Sequence, residues 1–385
     1  MPVSSQVDGL SQSFPIHGPA GSALKLSRQA ESFLRDLERY ESKLRARGFT
    51  FGHSRLAVQV GPQATHSGCI YCGQCMNGCV YGLIYNASTT VEQLSVNPRF
   101  KYVSGLAVDQ LFETSSSVEI AAYSIHDGQP VTFSGEKVFV ACGVLESTRL
   151  LLRSLSMYDT DLTMKDACYF LLPLLRFSGT PNVQNEALHT LAQLFLEVDD
   201  PAISPHTIHL QVYTYNELFR RAAQNLLGKS ARLMRSPLDQ LLGRTLLLQG
   251  YSHSHHSDTI SVRLKQPTKE RPLGVLSLEA KHEADSSIVV SKVIKKLRQS
   301  VCDLRALPLS PLLRVGQPGR GFHAGGTFPM RQRPTHCEAD SLGRPAGLKR
   351  IHVVDASVFP SVPATTITYT VMANAHRIGT QALQA

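Results

Sequence analysis

The sequence lacks any run of about eighteen apolar residues, so no membrane-spanning helix is expected. Residues 1–19 are polar and rich in Ser, Gly and Pro, without the charged, apolar and small-residue succession of a signal peptide. A cytoplasmic, reducing setting is therefore the default expectation. The formal charge of +9 brings nucleic acid and anionic surfaces into view as partners. Yet the basic residues are scattered, with only short clusters such as 292–298, and there is no basic stripe interleaved with aromatics, so no nucleic-acid partner is expected. Glycine signatures for phosphate are missing too. The near match to G-x-G-x-x-G, Gly319-Arg320-Gly321-Phe322-His323-Ala324, runs into Gly325-Gly326 and Pro329, where no helix can begin. Gly228-Lys229-Ser230 has the end of a phosphate-binding loop, but Ala223 stands where that loop needs its first glycine. No internal repeat or long low-complexity tract occurs.

What remains is a chain of 385 residues, 42% hydrophobic and 18% charged, which is enough to bury a core in two or three domains. Residues 1–21 read as an unstructured start. Over 21–48, Leu26, Ala30, Phe33, Leu37, Tyr40 and Leu44 recur at helical spacing, with Gly48 as the stop. A short strand is expected over 55–60. Strands are also expected at 100–108, 110–112, 118–125, 131–133 and 137–141, the last running through Cys142-Gly143 into a helix over 145–154. From about residue 158 the pattern mixes helices at 185–196, 217–227 and 286–304 with strands at 207–215, 245–251 and 258–264. The expected fold class is α/β plus α+β, with an antiparallel-sheet domain (158–314) inserted between two parts of another domain (22–157 and 315–385).

Four groups of residues have chemical potential. Cys69, Cys72, Cys75 and Cys79 lie among Gly68, Gly73, Gly78 and Gly82, and glycine lets backbone fold tightly around a metal centre. The spacing equals that of bacterial ferredoxins, although Val80 replaces their proline and no second run exists; an iron–sulfur cluster, zinc, and a metal-free loop or local disulfide all stay open. His209, Gln211, Tyr213 and Tyr215 alternate along a strand, as either a sugar-binding or a solvent-facing surface. His253 and His255 would share one face of a strand, a spacing more common at polar strand ends than in metal sites. Finally, His323 sits in a glycine-rich turn, with an unperturbed pKa suited to proton abstraction near neutrality. Asp355 ends the short apolar run Val353-Val354, and Thr365-Thr366 can cap a helix from about 368 to 383, whose N-terminus favours an anion.

The blocks His323-Ala-Gly-Gly-Thr327-x-x-Met330, Val354-Asp355-Ala356-Ser357-Val358 and Val138-Phe-Val-Ala-Cys142-Gly143-Val-Leu-Glu-Ser147-x-Arg149 resemble the glucose–methanol–choline oxidoreductase family. The cysteine loop with Tyr81-Gly82-Leu83-Ile84-Tyr85-Asn86 resembles a branch of that family's dehydrogenases, some of which carry an iron–sulfur cluster. The resemblance implies FAD as cofactor and a partial FAD-binding domain carrying an inserted substrate domain. It implies His323 as the base that takes an alcohol proton while hydride passes to the flavin. Cys142, Gly143, Asp355, Ala356, Ser357 and Thr366 match flavin-contacting positions. Thr368 aligns where the family has a second His or Asn, and threonine is a poor proton acceptor. His209, Gln211 and Tyr213 become candidate contacts for a sugar, polyol or related alcohol. Electrons would leave to an acceptor protein or quinone. The family's glycine-rich opening βαβ unit is not in this sequence, so a separate FAD-binding chain is an expected partner in one alternative, a partner-requiring or inactive subunit. A flavin-free iron–sulfur electron-transfer protein is the other alternative.

Overall fold

The computed structural model describes residues 3–16, 23–61, 68–228, 235–271, 273–282 and 286–384. It is a mixed α/β structure with several antiparallel sheets, and the chain divides into two compact units. The first comprises Met1–Lys101, Tyr169–Tyr251 and Val289–Val315; the second comprises Tyr102–Cys168, Ser252–Ile288 and Gly316–Ala385. The chain therefore crosses between the units near residues 101, 168, 251, 288 and 315; the last lies beside the expected boundary at 314, and the crossing at 168 lies after the one expected at 157. The cause is local: Asp161–Asp166 and Tyr169–Arg176 are almost adjacent in sequence, yet they pair in different sheets. Among the described residues no helix is long and apolar enough to cross a membrane.

The first unit is built on a seven-stranded antiparallel sheet, in the order Phe49–His53, Leu194–Val198, Ile208–Tyr213, Thr245–Tyr251, Tyr169–Arg176 and Ala306–Pro308, with Arg314–Val315 also on Tyr169–Arg176. Leu194–Val198 is buried at every position, which explains why this segment is a strand. The helix expected over 185–196 is instead a 3-10 turn, Val183–Asn185, followed by this strand. Its local sequence has helical spacing, but two flanking strands satisfy its backbone. Likewise the strand expected at 55–60 reduces to the isolated bridges Ser4–Leu56 and Val58–Ile84, and the regular strand is Phe49–His53. The stretch expected to be an unstructured start contains this bridged Ser4 and a fully buried Leu10, which packs with Ala192 and Phe195.

Helix Arg28–Arg39 forms as its periodicity predicts, capped by Ser27 accepting from the Ala30 amide. It is held to the sheet by Arg176, a fully buried cation that donates to Asp36 at 2.7 Å and to Ser32 at 2.9 Å. Removing one partner of such a buried pair leaves an uncompensated charge.

The second unit holds three small sheets. Val275–Lys281, Thr259–Lys265, Asp161–Asp166 and Ala324–Gly325 form one antiparallel sheet. Leu106–Glu113, Val118–Ser124 and Pro130–Gly135 form a meander. The two strands expected at 100–108 and 110–112 are one strand with an irregularity between Val108 and Gln110. Asp109, at that bulge, makes a bidentate ion pair with Arg153 at 2.6 and 2.8 Å. That pair fixes helix Val144–Ser154 on the meander, aided by Ser154 Oγ accepting from the Leu111 amide at 2.9 Å. The third sheet pairs Val138–Val140 with Ile351–Val353 in parallel.

One buried group of the first unit makes its stability sensitive to acid. Burial, with a smaller contribution from His53, lowers the His189 pKa to about 4. Gln193 Nε2 faces its Nδ1 at 3.4 Å, consistent with the neutral ring. Between pH 4 and 6.5 the unfolded chain binds this proton and the folded chain does not, so stability is complete above 6.5 and falls as the pH drops towards 4. The window is worth about 3 kcal/mol at most. In urea titrations at pH 7 and pH 4.5, His189→Gln should lose distinctly less stability on acidification than the parent chain. An equal loss in both would remove His189 as the cause.

Candidate active site

The site is assembled around one carboxylate in the second unit. Strand Val138–Val140 leads through Ala141, Cys142 and Gly143 into helix Val144–Ser154, and Gly143 at φ +81° occupies the N-cap without a side chain. Parallel to it, Ile351–Val353 is extended by the Val354 amide donating to Val140 O at 2.9 Å, and this delivers Asp355 to the start of the helix. Asp355 is 8% exposed. Its Oδ2 accepts from the Gly143 amide at 3.0 Å and from the Ser147 hydroxyl, and its Oδ1 accepts from the Ser357 amide at 2.9 Å. A carboxylate at a helix N-terminus, bonded to three donors, is stabilised by charge–dipole attraction as well as hydrogen bonds. Ser147 Oγ also accepts from the Cys142 amide at 3.1 Å.

The histidine loop is laid along the same turn. The amides of Gly326, Phe328 and Met330 donate to the carbonyls of Ala356, Ser357 and Val358, each at 2.9 Å. Thr327 and Thr148 share a hydroxyl–hydroxyl bond of 2.7 Å, tying the loop to the helix. His323 stands at the head of this ladder, buried, with its carbonyl accepting from the Ala167 amide at 3.1 Å. Thus His323, Cys142, Gly143, Asp355, Ala356 and Ser357 all belong to one hydrogen-bonded assembly. Thr366 and Thr368 lie outside it, exposed at the start of helix Thr368–Ala382. The cap expected from Thr365-Thr366 is not formed: the N-cap residue is Ile367, with no side-chain bond.

Burial, and then the negative charge of Asp355, push the Cys142 thiol above the usual thiol range. Burial also raises Asp166, against the lowering effect of the Gly319, Gly321 and Ala167 amides. Asp166 and Thr148 were not singled out from sequence, and Ser147 and Thr327 stand in the quoted motif blocks without an assigned role. The only local signals are an acid closing the strand Asp161–Asp166 and hydroxyls on the inward face of an amphipathic helix.

The remaining candidates belong to the first unit. Gly68, Gly73, Gly78 and Gly82 all have positive φ, so the cysteine loop depends on glycine as expected. Its four cysteines are free. Burial raises the Cys69 thiol, with smaller contributions from Cys75, Cys72 and Cys79. Among the described residues no three of these sulfurs lie within 4.8 Å of one another, as a shared metal ion would need. His209 and Gln211 are not open substrate contacts: they are 1% and 6% exposed, and Phe14 and Phe195 pack on the His209 ring. Glu197, also buried, faces His209 Nδ1 at 2.6 Å. His209 Nε2 meets Gln211 at 3.3 Å, and Tyr213 donates to Gln211 at 2.9 Å. Only Tyr213 in this chain retains exposed surface. Glu197 was missed because it lies in the apolar run Leu194–Val198. In the second unit, Ser254–His256 forms a 3-10 turn rather than a strand, and His253 Nδ1 accepts from the His255 amide at 3.1 Å.

Comparison with known proteins agrees with this geometry. Residues 314–375 match the sequence profile of the GMC oxidoreductases, a range containing His323, Asp355, Ala356, Ser357, Thr366 and Thr368. No curated protein matches the sequence significantly. Pyridoxine 4-oxidase from Mesorbium loti has a similar fold, with a TM-score of 0.58 at 15% identity, over 96% of this chain and 74% of that one. An FAD-dependent oxidoreductase from Chaetomium thermophilum, in complex with a butanamide fragment, gives 0.49 at 12% identity, over 76% and 63% of the two chains. The similarity to the GMC oxidoreductases is thus carried by residues 314–375.

The carboxylate at the centre of this assembly is open to a direct test. Asp355→Ala leaves three donors, two of them buried, without their acceptor and should cost about 2–4 kcal/mol in chemical denaturation. A loss below about 1 kcal/mol would show that the assembly does not depend on it.

Proposed function

We propose that the chain is the catalytic portion of an FAD-dependent oxidoreductase of the glucose–methanol–choline type, oxidising a CH–OH group of a sugar, polyol or related alcohol. The supporting observation is the single hydrogen-bonded assembly that joins the His323 loop, the Ala356–Val358 turn and the Cys142–Gly143 backbone. Its residues fit a flavin. A Cβ built on Gly143 would meet no atom within 4 Å, so the backbone there is clear for a ring to approach. Ser357 Oγ, Tyr369 Oη and Asn374 Nδ2 are buried polar atoms without a hydrogen-bond partner.

In this reading Cys142, Gly143, Asp355, Ala356, Ser357 and Thr366 hold the flavin, which when bound supplies a hydride acceptor for the carbinol carbon. The chain's own contribution is the proton. An imidazole nitrogen of His323 takes it from the substrate hydroxyl oxygen, leaving a carbonyl product. Burial of His323 keeps bulk water from competing for that position. Thr368, exposed at the head of the last helix, offers a hydroxyl to the substrate oxygen rather than a second base. The seven-stranded sheet serves as the substrate domain, with Tyr213 as its accessible polar contact. Electrons then pass to an acceptor protein or quinone.

His323→Ala should lower kcat roughly a hundredfold or more in flavin-loaded protein, with the visible flavin spectrum unchanged. Turnover at the parent rate would remove His323 as the base, and the absence of flavin uptake by the parent chain would remove the reading itself. A second reading, with an iron–sulfur cluster on the cysteine loop, draws on the sequence spacing Cys69-x2-Cys72-x2-Cys75-x3-Cys79. It requires stoichiometric iron and acid-labile sulfide in anaerobically purified protein, both lost when the four cysteines are replaced by serine.

A further inference from the structure

The Gly319-x-Gly321 sequence, which imitates a nucleotide-binding loop, has a different use in the second unit. The Gly319 amide donates to Asp166 Oδ2 at 2.7 Å, and the Gly321 amide donates to the same oxygen at 3.4 Å. Asp166 is 4% exposed and ends the strand Asp161–Asp166. It is registered opposite Ala324, the residue after His323, and the next amide along, that of Ala167, donates to the His323 carbonyl at 3.1 Å. The contact is too close for any side chain at Gly321: a Cβ there would lie 2.0 Å from Ala167 O and 2.5 Å from Asp166 Oδ1. Between Gly321 and His323, Phe322 is forced to φ +61°, a conformation that non-glycine residues adopt only at a cost. The segment before the histidine is therefore strained and needs an external hold.

We infer that Asp166 is the positioning residue of the His323 loop, its carboxylate gripping the Gly319 and Gly321 amides so that His323 is presented in one orientation. The inference rests on the proposed role of His323 as base, and it adds a residue that resemblance did not single out. Two features separate it from a merely buried acid. Asp166 Oδ2 takes amides from both glycines, while Oδ1 is buried without a partner and so contributes desolvation cost rather than extra bonding. Retaining a carboxyl group in that state implies that the loop contacts offset its cost. Those contacts also bracket the strained Phe322 on its N-terminal side, while the Ala324–Asp166 pairing brackets it on the other.

Full-length protein labelled at histidine Cε1 reports the ring directly by NMR, without cofactor or turnover, and the His323 signal is identified by its loss in His323→Gln. Asp166→Ala should shift or broaden that signal. Asp166→Asn, which keeps an oxygen for the two amides, should leave it near the parent position. Gly321→Ala, whose Cβ would crowd the Ala167 carbonyl and Asp166 Oδ1 and so push the loop away while keeping the acid in the chain, should move it as Asp166→Ala does. In flavin-loaded protein, Asp166→Ala should lower kcat by roughly a hundredfold with little change in KM, the scale expected for a misplaced reacting group, and Asp166→Asn should recover most of it. An unchanged His323 signal in Asp166→Ala and in Gly321→Ala would overturn the inference. If Asp166→Ala does not fold, the Asn and Gly321 variants still decide it. A moved His323 signal with parent-level turnover in His323→Ala would leave the positioning intact and remove only the role of His323 as base.

Discussion

The second unit depends on the carboxylate of Asp355. It lies where the parallel strands Val138–Val140 and Ile351–Val353 end and helix Val144–Ser154 begins, and it takes donors from both sides of that junction. Strand, helix and turn are each short, and none has enough buried surface to fix its neighbours by packing alone. A charged acceptor at the helix N-terminus supplies direction as well as attraction. The turn that it organises then becomes the template on which residues 326–330 are laid.

The histidine loop is held at both ends. On its C-terminal side three backbone bonds run along Ala356–Val358, and the Thr148–Thr327 bond joins it to the helix. On its N-terminal side Asp166 grips two glycine amides beside a residue with positive φ. Holding a side chain of this loop in one place needs such support, because a glycine-rich segment has little conformational preference of its own. The two acids thus divide the labour, one at each side of the loop.

Much of the local structure was legible from sequence. The helices at 28–39, 144–154 and 217–227 follow from apolar spacing and capping residues, and the strands at 208–213, 245–251 and 259–265 from alternation. The failures have a common cause. Residues 194–198 were expected in a helix because their apolar character is compatible with either state, and the partner strands that decide the matter come from residues 49–53 and 208–213. The alternating His209, Gln211 and Tyr213 were expected to face a ligand or solvent. His209 and Gln211 are instead buried in a hydrogen-bonded row with partly exposed Tyr213, because Glu197 on the neighbouring strand satisfies the histidine and two phenylalanines cover it.

By itself the sequence determined the family and most of the candidate residues: the blocks around His323 and Asp355 are contiguous motifs, and motifs survive without knowledge of the fold. It also determined that Gly319-x-Gly321 is not a nucleotide loop, since no helix can follow it. Only the tertiary structure decided what those glycines do instead. Asp166 lies more than a hundred residues away, and nothing local marks it as their acceptor. The same holds for the Ser147 and Gly143 donors that reach Asp355 from more than two hundred residues away. Hydrogen bonds between distant segments leave no periodicity in the chain, so the motif residues were legible and the distant partners that hold their loop were not.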